Sequence, residues 1–100
     1  MNTNKIKTKY KNSLIKTIKN HLPNAQIYLF GSRAKKTNSP GSDIDIAINI
    51  NKKIDLIIIG HIQNDIEKLD IPFFVDIIDM CNISKDIKEE ILKERILWSN

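Results

Sequence analysis

Cysteine, proline and glycine are scarce in this 100-residue chain, which has one cysteine and three each of proline and glycine. The lone Cys81 cannot form an internal disulfide, and its apolar surroundings predict a small core residue rather than a reactive thiol. No apolar run approaches the roughly 20 residues that a membrane-spanning helix needs. The polar first segment also lacks the apolar stretch of a secretory signal. We therefore expect a single domain over residues 1–100, located in the cytoplasm.

Acidic side chains are absent from residues 1–36, which carry nine Lys and Arg residues. Residues 37–100 carry seven basic residues against twelve acidic ones, so a formal charge of +9 is followed by one of −5. A basic segment can attract a polyphosphate, a nucleic acid or an acidic protein surface, and it can equally be a solvated helix face. Charge alone leaves these interpretations open.

Two hydrophobic periodicities alternate along the chain. Apolar residues at helical spacing predict three amphipathic helices, and three shorter β-rich or alternating runs predict strands. Ser32 begins one further helical turn. His21 and His61 flank apolar stripes and are predicted to be ordinary boundary residues. The predicted order is αβαβαβα, with helices over residues 4–21, from 32, over 54–69 and from 84 towards 98, and strands over 26–30, 43–50 and 73–79.

Two short motifs in this order are suited to phosphate chemistry. Gly31-Ser32 lies where the first predicted strand meets a helical turn, so backbone amides and the Ser32 hydroxyl can bind a phosphate. Asp43 and Asp45 are two residues apart on a predicted strand and project from one face, where they can share a hard cation such as Mg²⁺. Each motif alone is common. All four residues at fixed offsets are expected in roughly one of a thousand or more random chains of this length.

The segment FGSRAKKTNSPGSDIDIAI resembles the signature of nucleotidyltransferases of the DNA polymerase β type, in which Gly-Ser is followed by Asp-x-Asp on the next strand. This resemblance implies that Gly31 and Ser32 bind the triphosphate of ATP and that Asp43 and Asp45 bind two Mg²⁺ ions. It also implies that the first two strands are antiparallel, because both motifs must line one site. The implied fold is an α/β (α+β) domain with a short three-stranded mixed sheet and helices on one face.

A third carboxylate completes the signature of this family. Asp76 lies between apolar residues of the third predicted strand and matches that position, so the resemblance makes it a ligand of one ion. It would also help to deprotonate the attacking hydroxyl. Asp79 is one residue out of phase and does not match.

Three basic residues after Ser32 are placed to reach phosphates. The resemblance makes Arg33 a nucleotide-binding candidate, and Lys35 and Lys36 could contact the β and γ phosphates. An equally favoured alternative is that all three are ordinary exposed charges on a helix, without contact to a phosphate. Lys36 stands where short members of the family often have glycine, a difference that we expect to alter the loop and not the chemistry.

The chain is similar to the minimal nucleotidyltransferase (MNT) group, because it has no appended helical domain for a substrate. Members of this group commonly pair with a small helical HEPN toxin that resembles an RNase. The resemblance implies an antitoxin that transfers AMP from ATP to a tyrosine of the toxin. The alternatives are a catalytically silent module that acts by contact, an RNA-directed transferase that uses the lysines of the first helix, and a small-molecule transferase of the aminoglycoside-modifying kind.

Overall fold

The computed structural model of the protein describes residues 6–37, 39 and 41–100. Within these residues the predicted order αβαβαβα is confirmed and is extended by one strand. Residues 4 and 5 of the first predicted helix lie outside the described residues. The elements are α1 (Thr8–His21), β1 (Gln26–Phe30), α2 (Ser32–Lys35), β2 (Ile44–Asn49), α3 (Leu56–Glu67), β3 (Val75–Asp79), α4 (Lys85–Glu94) and β4 (Ile96–Ser99).

The strands form one mixed sheet in the order β3-β2-β1-β4. β1 is antiparallel to β2, as predicted, and also to β4, whereas β2 is parallel to β3. The prediction of three strands was wrong, because α4 ends at Glu94 and the backbone becomes extended at Arg95. The spacing of five residues from Ile91 to Ile96 breaks the helical stripe, and the apolar run that begins at Ile96 suits a strand.

Helices cover both faces of the sheet. On one face, α1 and α3 enclose the larger core, whose fully buried side chains include Leu14, Ile18 and Ile62. On the other face, α4 packs Ile91 against a smaller cluster with Tyr28, Ala47 and Met80. The expectation of helices on one face was therefore wrong, because α4 packs on the second face and buries Ile91 there. No helix among the described residues is long and apolar enough to cross a membrane.

Asp79 and Cys81 show how β3 ends. The Asp79 side chain is 8% exposed, and its carboxylate accepts hydrogen bonds from the Ile54 N–H at 2.7 Å and the Cys81 N–H at 2.9 Å. Asp79 is thus a structural residue on the opposite face from Asp76, in agreement with its phase. Cys81 is exposed, so its predicted core position was wrong: the strand ends at Asp79 and the buried residue of the turn is Met80.

Candidate active site

Three carboxylates lie at one end of the sheet, on the face that α4 shares. Asp45 of β2 and Asp76 of β3 are directly paired in the parallel register. Asp43 immediately precedes β2 and lies two residues from Asp45, so its side chain projects from the same face. Asp45 is half-buried, whereas Asp43 and Asp76 are exposed. The structure therefore places the three acids that the sequence singled out on one face, at the same end of the sheet.

The electrostatics of this face are dominated by like charges. Burial raises the pKa of Asp45, and the negative charges of Asp76 and Asp43 raise it further, against the opposing effect of Arg33. Carboxylates that crowd in this way repel each other unless a cation lies between them. The site thus has an excess of negative charge that a divalent cation would neutralise.

The donor set fits Mg²⁺, which prefers carboxylate oxygens. Among the described residues, no three His, Cys, Asp or Glu side chains are already gathered closely enough to hold a metal ion. The strand register fixes the backbones of Asp45 and Asp76, while the exposed side chains of Asp43 and Asp76 have room to rotate. Binding of an ion would therefore require side-chain rotation on a backbone that is already in place.

Gly31 brings the predicted phosphate-binding turn against this acidic face. Its φ of 77° lies in the region that favours glycine, and an added Cβ would lie 3.2 Å from the Asp45 Cγ. The antiparallel register explains the contact, because Phe30, just before Gly31, pairs with Asp45. Ser32 follows as the first residue of α2 and is half-buried at the same end of the sheet. Both motifs therefore line one site, and their roles as phosphate ligands stay predictions.

Gly31→Ala should destabilise the domain and disturb Asp45. The Cβ would meet the Asp45 side chain while the backbone is held at positive φ, and such strain costs about 1–3 kcal/mol. The free energy of unfolding, measured by urea denaturation, tests this prediction. Gly60→Ala is the control, because an added Cβ there meets nothing within 4 Å, and alanine inside a helix should stabilise by about 0.5–1 kcal/mol. Wild-type stability of Gly31→Ala would contradict this close contact.

Arg33 lies inside the structure and not at its surface. The side chain is 4% exposed, and its Nε and Nη2 atoms donate to the Ser42 carbonyl oxygen at 3.0 and 2.7 Å. The guanidinium lies 4.5 Å from the centroid of the Phe73 ring, and burial lowers its pKa while Asp43 and Asp45 act to raise it. This geometry favours a structural role, in which Arg33 connects α2 to the segment before Asp43. It does not favour the predicted contact of Arg33 with a nucleotide.

The two lysines of the turn differ in their surroundings. Lys35 Nζ lies 3.0 Å from Glu94 Oε2, and this hydrogen bond and charge raise the pKa of Lys35. Lys36 is exposed and adopts the left-handed conformation, with φ 62° and ψ 29°, as the C-cap of α2. Lys36 thus keeps the backbone conformation for which glycine is favoured at the end of a helix.

Glu94 is a site neighbour that the sequence did not reveal. Its Oε1 accepts a hydrogen bond from the Gly31 N–H at 3.2 Å, across 63 residues of chain. Glu94 lies in a run of charged residues on α4 that looks like an ordinary solvated helix face. The sequence around it therefore gives no indication of a functional role. Its role depends on how α4 is placed on the sheet.

Comparison with known proteins defines the class to which this fold and site belong. Residues 12–100 match the family described as polymerase beta, nucleotidyltransferase. The chain belongs to this nucleotidyltransferase family.

A curated relative and two solved structures are more specific. The chain is 32% identical over 82 residues to the probable protein adenylyltransferase MntA of Haemophilus influenzae. The aligned region covers 81% of this chain and 72% of that protein. The chain superposes on a chain from a toxin-antitoxin crystallised with AMP-PNP with a TM-score of 0.75 and 27% identity, covering 90% of this chain and 73% of the other.

A similar fold occurs in a complex of the tri-AMPylated HEPN toxin of Shewanella oneidensis with an MNT antitoxin. That match has a TM-score of 0.73 and 24% identity and covers 95% of this chain and 73% of the other. At this identity the likeness shows the fold alone. The resemblance to MNT proteins is thus supported by both sequence and fold.

Proposed function

We propose that the protein is an Mg²⁺-dependent adenylyltransferase that transfers AMP from ATP to a tyrosine of a cognate HEPN-type toxin and thereby acts as its antitoxin. The observation that carries this proposal is the convergence of Gly31-Ser32 with Asp43, Asp45 and Asp76 at one end of the sheet. Support for ATP and for a protein acceptor comes from the MntA relative and from the similar toxin-antitoxin crystallised with AMP-PNP.

Strands β1, β2 and β3 each contribute to the proposed reaction. In the turn after β1, Gly31 would allow the triphosphate to approach closely and Ser32 would donate to it, while Asp43 and Asp45 would hold two Mg²⁺ ions, one of them shared with Asp76. When bound, the ions neutralise charge on the triphosphate as pyrophosphate leaves. The tyrosine oxygen forms a bond to the α-phosphorus, and the bond from that phosphorus to the β-phosphate breaks. Asp76 would accept the proton of the tyrosine hydroxyl.

In the proposed reaction, the nucleotide and the acceptor would lie on different sides of β2. β1, which leads into the phosphate-binding turn, and β3, which carries Asp76, lie on opposite sides of β2. The acceptor would therefore approach over β3. Phe74, just before that strand, is 79% exposed and offers an apolar contact to a protein at this side of the site.

ATP labelled in its α or its γ phosphate provides the test. The chain is incubated with MgCl₂, RNA and a candidate HEPN-type partner protein, in separate reactions with each label. We expect the α label on the partner and the γ label in released pyrophosphate. Partner labelled from the γ phosphate would indicate phosphoryl transfer and contradict the proposal. Toxin inhibited without any label would favour the silent module, and label on RNA the RNA-directed enzyme.

A further inference from the structure

Glu94, the last residue of α4, bridges the two ends of the phosphate-binding turn. One carboxylate oxygen accepts the Gly31 N–H at 3.2 Å, and the other lies 3.0 Å from Lys35 Nζ. The Glu94 side chain is 16% exposed. One side chain from the far end of the sequence thus contacts both the residue before α2 and the last residue of α2.

This contact differs from an ordinary surface ion pair. Exposed pairs contribute little because water screens them and both side chains lose conformational freedom. Glu94 is largely shielded, and one of its two bonds is a charge-assisted bond to a backbone N–H, which is stronger than a neutral bond. The bonded amide belongs to Gly31, whose backbone has positive φ and which contacts Asp45. A shift of this turn would therefore move the acidic site as well.

We propose that Glu94 is a positioning residue that holds the Gly31-Ser32 turn and Lys35 in the geometry that receives the triphosphate of the nucleotide. This inference rests on the proposed function, because it requires a nucleotide at that turn. It makes α4 part of the site, although α4 carries none of the signature residues.

Binding of AMP-PNP in the presence of MgCl₂, measured by calorimetry on the full chain, tests the inference. Glu94→Ala removes both contacts, whereas Glu94→Gln keeps an oxygen that can accept from Gly31 but loses the charge paired with Lys35. The control is Glu89→Gln, on the same helix and also exposed. We expect Glu94→Ala to raise the Kd about tenfold, Glu94→Gln to have a smaller effect and Glu89→Gln to have none.

The binding stoichiometry separates positioning from loss of fold. Partial unfolding lowers the fraction of molecules that bind, while a misplaced turn raises the Kd of all of them. Unchanged Kd in Glu94→Ala, with or without a lower stoichiometry, would overturn the inference. A lower Kd would also overturn it, since Glu94 would then repel the triphosphate. Failure of the wild-type chain to bind AMP-PNP contradicts both proposals, whereas binding without transfer to a partner contradicts only the proposed function.

Discussion

Asp45→Asn should abolish Mg²⁺-dependent transfer while leaving the domain folded. Asp45 is paired with Asp76 and lies two residues from Asp43, so Asp45→Asn would remove one charged ligand of the ions that these residues are proposed to hold together. Metal ions stabilise transition-state charge by several kcal/mol, so we expect activity to fall about a thousandfold or more. Stability should be unchanged or slightly higher, because asparagine has the same shape and relieves repulsion between like charges.

The measurement is the initial rate of partner labelling, with the urea midpoint as the test of folding. Asp43→Asn should behave in the same way, and Asp76→Asn should abolish turnover while sparing nucleotide binding. Asp70→Asn is the matched control, since Asp70 is an exposed acid in the connection between α3 and β3. Transfer at the wild-type rate in both Asp43→Asn and Asp45→Asn would show that the site is elsewhere.

Arg33→Ala should destabilise the domain strongly. The substitution leaves the Ser42 carbonyl without the two donors that Arg33 provides and removes the guanidinium from the Phe73 ring. Loss of charged hydrogen bonds at a buried site costs about 2–3 kcal/mol, which urea unfolding would detect. Arg33→Lys should rescue little, because an ammonium cannot reproduce the planar fork or stack in the same way.

Arg95→Ala is the control for this prediction. The Arg95 guanidinium also lies over an aromatic ring, 4.6 Å from the centroid of Tyr28, but the residue is exposed. Its replacement should cost no more than about 1 kcal/mol. The comparison also decides between two roles of Arg33. If Arg33→Ala unfolds like the wild type and loses only AMP-PNP affinity, Arg33 is a phosphate ligand and the structural role is wrong.

The features that local patterns encode were predictable from the sequence. The alternation in β2 places Asp43 and Asp45 on one face because side chains in a strand alternate with period two. The family resemblance identified Asp76 as the third carboxylate and strand phase excluded Asp79, and the structure pairs Asp76 with Asp45. The antiparallel pairing of β1 with β2 was implied by the same resemblance, because both motifs of the family line one site.

The features that depend on tertiary placement were not predictable in this way. The Glu94 contact spans 63 residues, so no local spacing indicates it. The position of the Arg33 side chain depends on its contacts with the Phe73 ring and the Ser42 carbonyl, which form only in the folded chain. β4 was missed because it begins two residues after α4 ends, and its four residues form a strand only by pairing with β1.

Intact-mass spectrometry of the partner toxin is the most direct test of adenylyl transfer. The toxin is incubated with ATP, MgCl₂ and either the wild-type chain or Asp45→Asn, and a tyrosine acceptor is located by peptide fragmentation. We predict that the wild-type chain adds one or more adenylyl groups to the toxin, each on tyrosine, and that Asp45→Asn adds none. An unchanged toxin mass, in a reaction where the wild-type chain binds nucleotide and still neutralises the toxin, would contradict enzymatic transfer.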